Sequence, residues 1–594
     1  MSKYKNRSEV PEKYRWDLTP FFKDDKEFNE KLEEAKERIT KYKNYRNKLK
    51  DGNVLLDLLK YDNITECLIE NLYVYSFMKD DEELGNKDNI NRKNKATKLY
   101  TDYCNAISFI KPEILSFTKE EYNKLFKNKD LLEYKFLLDE LYKTKDHTLT
   151  EKEEIIINEL LGAMDSYDVI SSNLLNNEHN YGKVMIDGIE EEIHSTNYRK
   201  IMQNKDEKVR KEAFNNYKKV LDQYAGTSAS LLNSYVKENN TVSRLHNFKN
   251  AWERKLFDRN MTQKSYDTLI NTVSDNYKIA QKYFELIKKE NNLKELHAYD
   301  TNLSLYPGRK KYTIEEGIDL IKKALNPLGE DYLKCFDKII DNRYIDFCEY
   351  KGKCSGGYSV STPDQDSRIL LSYNDDLDSV STVIHEAGHN IHHQFVKANN
   401  PIEYRGITTL VAEIASLTNE CLLSSYLANN GTKEEKLEGI SNILRVIDSN
   451  LFDCIREAKM EIDFNKYSEE GNALTKDYMN ELDLNSLKEY FGNTVILDEY
   501  ANTGWIRRSH YYNDYYLCDY SFCISVACAN ASKILSGDKE QLDRYLKFLS
   551  LGGDHYPLDA IKTLGFDLED KTVYEDAIKY FDSLIEEYKK ISKE

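Results

Sequence analysis

Residues 379–395 read Ser379-Val380-Ser381-Thr382-Val383-Ile384-His385-Glu386-Ala387-Gly388-His389-Asn390-Ile391-His392-His393-Gln394-Phe395. Val380, Val383, Ile384, Ala387, Ile391 and Phe395 recur at the spacing of an amphipathic helix. On that helix His385 and His389 stand one turn apart and project from one face. The pattern is H-E-x-x-H. Two imidazoles so placed can grip one zinc ion, and Glu386 between them can serve as a base for water there. The plainer alternative is two histidines on an amphipathic surface.

A catalytic zinc ordinarily takes a third protein ligand and keeps one position open. One known route needs Gly three residues after the second His and another His three further on. Those positions hold His392 and Phe395, which excludes it. The other route takes a Glu from a later helix. Thr408-Thr409-Leu410-Val411-Ala412-Glu413-Ile414-Ala415-Ser416-Leu417-Thr418-Asn419-Glu420 has helical character, with Leu410, Ile414, Leu417 and Cys421 as its apolar stripe. Glu413 borders that stripe, and Glu420 lies two turns on. A carboxylate beside an apolar face needs a partner, because burying it alone is costly. Zinc would be such a partner for Glu413; an exposed glutamate at the helix edge is the alternative. His392 and His393 are expected to pack or to support the ligand histidines, and Glu420 to orient one of them. His147, His179, His194 and His246 are expected to be structural.

Outside these segments the chain also reads mainly as helix. Eight Pro and 23 Gly in 594 residues are too few for an all-β sandwich or barrel with frequent turns. Helices are predicted over 24–49, from Glu151, and over 206–214. Val184-Met185-Ile186-Asp187-Gly188-Ile189 predicts a hairpin, since Asp-Gly suits the positive φ angles of a tight turn. A lobe boundary is placed near residue 200. Ser367-Arg368-Ile369-Leu370-Leu371-Ser372-Tyr373, with Gly356-Gly357 and Pro363 upstream, predicts a strand. The hydrophobic share of 40% and charged share of 32% suit a folded chain and not a disordered one. The net charge of −18 argues against a general nucleic-acid surface, and no apolar run is long enough to cross a bilayer. Residues 1–12 lack an apolar core, so no signal peptide is expected. The ten Cys form no Cys-x-x-Cys pair, which points to reduced thiols and a cytoplasmic protein.

A second cluster is Trp505-Ile506-Arg507-Arg508-Ser509-His510-Tyr511-Tyr512-Asn513-Asp514-Tyr515-Tyr516-Leu517-Cys518-Asp519-Tyr520. It is either an aromatic core stripe or a set in which His510 and one or two Tyr donate hydrogen bonds to a developing oxyanion.

Taken together, these pieces resemble the oligoendopeptidase F group of the thimet-oligopeptidase-like zinc metallopeptidases. The similar segments run from residues 7–18 through 206–214 and Arg244-Leu245-His246-Asn247-Phe248 to Ser355-Gly356-Gly357-Tyr358, Ile369-Leu370-Leu371, His385-Glu386-Ala387-Gly388-His389 and Glu413-Ile414-Ala415-Ser416. The resemblance implies a mainly α, two-lobed zincin-like (neurolysin-like) fold with a deep central channel and a small β-sheet near the zinc. It implies an N-terminal helical lobe over 1–200 and a catalytic domain over 201–594. It implies one Zn2+ per chain on His385, His389 and Glu413, with Glu386 as general base. His510 falls on the group's substrate-binding His and Tyr520 on a Tyr that contacts the tetrahedral intermediate, with Tyr516 a further candidate. At Cys518 the chain departs from the group, which often has Tyr there.

The expected activity is therefore hydrolysis of internal bonds in short unstructured peptides. Gly356, Gly357, Tyr358, Ile369, Leu370 and Leu371 are expected to bind substrate, the strand at 369–373 by adding the peptide as a further strand if it is an edge. No membrane or nucleic-acid partner is expected. Three alternatives remain: another helical H-E-x-x-H zinc peptidase such as a carboxypeptidase, a non-catalytic peptide-binding scaffold, and a helical protein with a chance motif.

Overall fold

In the computed structural model, residues 4–164, 166–306, 308 and 310–593 are described. The elements that matter here, in chain order, are α1 (Asp25–Lys41), α2 (Gly52–Glu82), α3 (Lys87–Ile107), β1 (Lys183–Ile186), β2 (Ile189–Glu192), α4 (Glu207–Leu245), α5 (Ala251–Arg259), β3 (Ile345–Asp346), β4 (Tyr358–Val360), β5 (Arg368–Leu370), α6 (Leu377–Asn399), α7 (Thr409–Asn430), α8 (Cys454–Glu469), α9 (Leu517–Leu535) and α10 (Thr572–Lys593). Among the described residues the chain is mainly helical with two small sheets, as expected. Among the described residues no helix is long and apolar enough to cross a membrane.

Two compact units interleave along the sequence. One comprises 1–148, 310–408 and 537–564; the other comprises 149–309, 409–536 and 565–594. Neither has a limit at residue 200, so the expected division of the sequence there is a different partition from the packing units.

The first unit is built on α1–α3. Asp24 caps α1 by accepting from the Glu27 N–H at 2.9 Å, and Phe28, Leu32 and Ala35 form its buried stripe. These meet Leu55, Leu58, Leu72 and Met78 of α2 and Ala96 and Leu99 of α3 in one core. The helix predicted to run to Leu49 stops at Lys41; a single 3₁₀ turn follows, and Asn47 takes φ +64°. The polar Lys-Tyr-Lys-Asn-Tyr-Arg-Asn run has no second apolar stripe to bury, and asparagine tolerates the left-handed region.

The unit's sheet has the order β3-β5-β4, with β3 parallel and β4 antiparallel to β5. Lys353 ties it together. Its Nζ lies 2.7 Å from Asp346 Oδ1 and donates to the carbonyls of Asp346, Cys348 and Leu371 at 3.0, 2.9 and 2.7 Å. In the second unit, β1 and β2 form the predicted hairpin, with Asp187 and Gly188 at φ +51° and +81°. There α7 packs on α9, where the Cys523 thiol donates to the Leu410 carbonyl at 2.7 Å.

Lys353→Met should destabilise the protein by ~3 kcal/mol, because it removes one partner from a buried ion pair and three carbonyls from their donor. The measurement is the urea unfolding midpoint; an unchanged midpoint would mean the lysine does not hold the sheet.

Candidate active site

Helix α6 starts at Asp376, whose carboxylate accepts from the Ser379 N–H at 2.9 Å. Of the apolar positions read from sequence, Val380, Val383, Ile384, Ala387 and Ile391 are buried, and Phe395 is half-buried. That burial fixes the helix's rotation and presents His385 and His389 together, their ring centres 5.0 Å apart and their planes at 77°. Glu386, on the adjoining face, is 8% exposed. Burial pushes the His392 and His393 imidazoles down to about 3 and about 4, which keeps both neutral. His392 packs against Phe548, with ring centres 5.6 Å apart.

Glu413 lies in the first turns of α7. The Ser416 hydroxyl stands 2.9 Å from both the Glu413 carbonyl and its Oε2, so it can fix the carboxylate's orientation. His385, His389 and Glu413 each offer one ligand atom, and these atoms lie within 4.8 Å of one another. Ligands ~2.1 Å from a tetrahedral ion stand about 3.4 Å apart. Holding one metal would require the three atoms to close to that spacing. Two imidazole nitrogens and one carboxylate are a donor set that suits zinc.

Gly357 precedes β4. A Cβ at Gly357 would stand 3.2 Å from Thr382 Cγ2, 3.6 Å from Glu386 Oε1 and 3.7 Å from the Leu370 carbonyl, so the backbone runs close to Glu386. Gly356, at φ +99°, supplies the turn into the strand. The edge reading for 369–371 needs correction. β5 is the central strand, and Ile369, Leu370 and Leu371 are 0, 0 and 1% exposed. The N–H groups of Ile369 and Leu371 donate to the carbonyls of Tyr344 and Asp346. These residues cannot receive a peptide because both of β5's edges are paired. Among the described residues β4 is an outer strand of this sheet. The Tyr358 side chain turns inward, its hydroxyl donating to Asp81 at 2.8 Å and its ring 5.8 Å from that of Phe77. Any contact of Tyr358 with a peptide would therefore be through its backbone.

The late cluster also assembles, within the second unit. His510 Nε2 lies 3.4 Å from the Tyr520 hydroxyl, and the Tyr516 ring centre is 6.0 Å from His510 and 5.1 Å from Tyr520. Burial, and then Arg508, lowers the His510 pKa, favouring neutral imidazole. Burial raises the Tyr520 phenol, with Tyr516 and Glu413 adding to it; burial also raises Tyr516, reinforced by Asp519 and Glu413. Both phenols therefore keep their protons and remain donors. Cys518 is fully buried, so its thiol takes no part in that surface. Among the histidines expected to be structural, His179 stacks on Tyr224 with centres 3.9 Å apart, and His246 meets Glu154 at 3.1 Å. Sequence reading gave no role to Ser416. Its signal was a hydroxyl one turn after the candidate ligand glutamate.

A helix bearing H-E-x-x-H, joined by a glutamate from the following helix, is the arrangement of a helical metallopeptidase. The family comparison agrees: residues 200–580 match the model of peptidase family M3, and 113–180 match that of oligopeptidase F. The chain belongs to peptidase family M3 and is a metallopeptidase that hydrolyses peptide bonds. It is 31% identical to oligopeptidase PepF of Bacillus subtilis over 99% of this chain and 88% of that one. It is 30% identical to the oligoendopeptidase F homolog of Borreliella burgdorferi over 99% of each. A crystal structure from Chlamydophila abortus covers 99% of this chain and 100% of its own, with 27% identity and a TM-score of 0.91. The fold is also that of oligoendopeptidase-F from Enterococcus faecium, with a TM-score of 0.74, 24% identity and coverage of 96% and 99%.

Ser416→Ala should weaken metal binding by about 10- to 100-fold while leaving the ligands in place. Competition with a graded series of chelators measures this, and unchanged affinity would remove Ser416 from the support of Glu413.

Proposed function

We propose that the protein is a zinc-dependent oligoendopeptidase acting on internal bonds of short unstructured peptides. The observation that carries this reading is the grouping of His385, His389 and Glu413 on donor atoms within 4.8 Å, with Glu386 between the two histidines. A zinc ion there would act as a Lewis acid, polarising the scissile carbonyl and lowering the pKa of water to about 7.

The remaining work falls to the chain. Glu386 takes the proton of the attacking water on its carboxylate and later delivers it to the leaving amine nitrogen. Its position beside the Gly357 backbone favours a substrate running along the outer edge of β4, where main-chain groups would align the carbonyl by adding a strand. That mode reads backbone and gives broad side-chain tolerance. It also demands an extended segment with unpaired amides, which a folded protein seldom offers. His510, Tyr516 and Tyr520 donate to the oxyanion as it develops. All ten cysteines are free thiols, which suits a cytoplasmic site of action.

An internally quenched peptide blocked at both ends should be cleaved, and the purified protein should carry one zinc per chain. A requirement for a free end would favour a carboxypeptidase; absence of cleavage would favour a binding scaffold. Glu386→Gln should retain metal and lose about 10²- to 10⁴-fold in kcat, and wild-type turnover would overturn the base assignment. Tyr520→Phe should lower kcat about 100-fold with less effect on KM; an unchanged kcat would remove the oxyanion role.

A further inference from the structure

The segment that delivers Tyr516 and Tyr520 is irregular and heavily tethered. Asp514 and Tyr515 have φ of +20° and +55°, and Tyr515 is a bulky residue in the left-handed region. Such a backbone persists only where its surroundings over-determine it. Here they do. Asp514 Oδ1 accepts from the Tyr235 hydroxyl at 2.6 Å and from the Asn239 amide, both on α4, and Arg254 Nη2 lies 3.3 Å from Asp514 Oδ2. The Tyr515 N–H donates to Glu461 Oε1 of α8 at 2.6 Å. Lys255, 7% exposed, donates to the Asp514 carbonyl.

One turn along α5 from Lys255, Arg259 Nη1 lies 2.5 Å from Oδ2 of Asp519, which is 3% exposed in the first turn of α9. The Arg259 guanidinium carbon is also 5.9 Å from the centre of the Tyr516 ring. Asp519 immediately precedes Tyr520. The charged groups around this knot are Arg254, Lys255 and Arg259 on one side and Asp514, Asp519 and Glu461 on the other.

We propose that the cationic face of α5, Lys255 and Arg259, is a positioning element for catalysis: it anchors Asp519 and the Asp514 backbone so that the Tyr516 and Tyr520 hydroxyls are aimed as donors. This rests on the reading above, in which those hydroxyls meet the oxyanion. Arg259 touches no reacting atom in this account and acts through the two tyrosines.

The test is a mutant cycle on a blocked fluorogenic peptide, with kcat, KM and metal content measured for each variant. Arg259→Gln should lower kcat about tenfold, with KM within about twofold and metal content unchanged. Arg259→Lys should recover most of that loss. In a Tyr516→Phe/Tyr520→Phe background, Arg259→Gln should cost less than about twofold, since no hydroxyl remains to be aimed. Should Arg259→Gln fail to fold, Arg259→Gln/Asp519→Asn removes both buried charges and should fold with the same kcat loss. Wild-type kcat in Arg259→Gln, or in that double variant, would overturn the proposal. So would an equal tenfold loss in the double-phenylalanine background. If the double-phenylalanine enzyme itself has wild-type kcat, it is the oxyanion reading of the tyrosines that has failed.

Discussion

Two imidazoles one helical turn apart fix where the rest of this site must stand. The spacing in α6 is a property of the backbone, so His385 and His389 share a face whatever surrounds them. The buried stripe from Val380 to Ile391 sets which way that face looks. Everything else is constrained by that choice. In the proposed site a third donor must present an oriented acceptor oxygen, and the Ser416 hydroxyl stands 2.9 Å from Glu413 Oε2. A side chain at Gly357 would crowd Thr382, 3.2 Å from its Cβ position, and touch Glu386 at 3.6 Å, so glycine keeps this approach open.

The sheet serves the same constraint. β5 occupies its centre, with buried residues that make it a spacer between its neighbours. Lys353 joins Asp346 on β3 to the Leu371 carbonyl beyond β5. The outer strand β4, entered through Gly356 and Gly357, pairs antiparallel with β5. A strand edge beside the proposed base Glu386 is a suitable device for main-chain recognition, since hydrogen bonds to backbone define the position of a carbonyl without regard to the side chains flanking it.

Features that depend on local spacing were legible in the sequence. The helix at 377–399, the Asp-Gly hairpin and the pairing of His385 with His389 all follow from residues within a few positions of one another. Glu413 was ambiguous from its helix alone, because what distinguishes a ligand from an edge glutamate is the partner it meets, and the ligand reading came from the resemblance to a family. Strand order was not legible. An apolar run such as Ile369-Leu370-Leu371 is equally compatible with a central or an outer strand, and β3, which pairs with it in parallel, contributes only Ile345 and Asp346. The contact between Arg259 and Asp519 joins residues 260 positions apart in the chain and leaves no trace in either neighbourhood.

The two halves of the proposed site are supported in physically different ways. His385, Glu386 and His389 stand on a regular helix, where hydrogen bonding and burial of one stripe are enough. Tyr516 and Tyr520 follow a segment that regular secondary structure does not explain, with Tyr515 left-handed and Asp519 buried. Burial raises the Asp519 carboxyl above its usual range even with Arg259 and Lys255 beside it, so the pair does not overcome the cost of removing that charge from water. An ion pair of that kind adds little net stability. Losing one member is nonetheless costly, because it leaves the other charge buried without its counter-charge. Its value to an enzyme lies in specifying one arrangement of the chain, and here the arrangement it specifies is the one that precedes a tyrosine hydroxyl next to a neutral histidine.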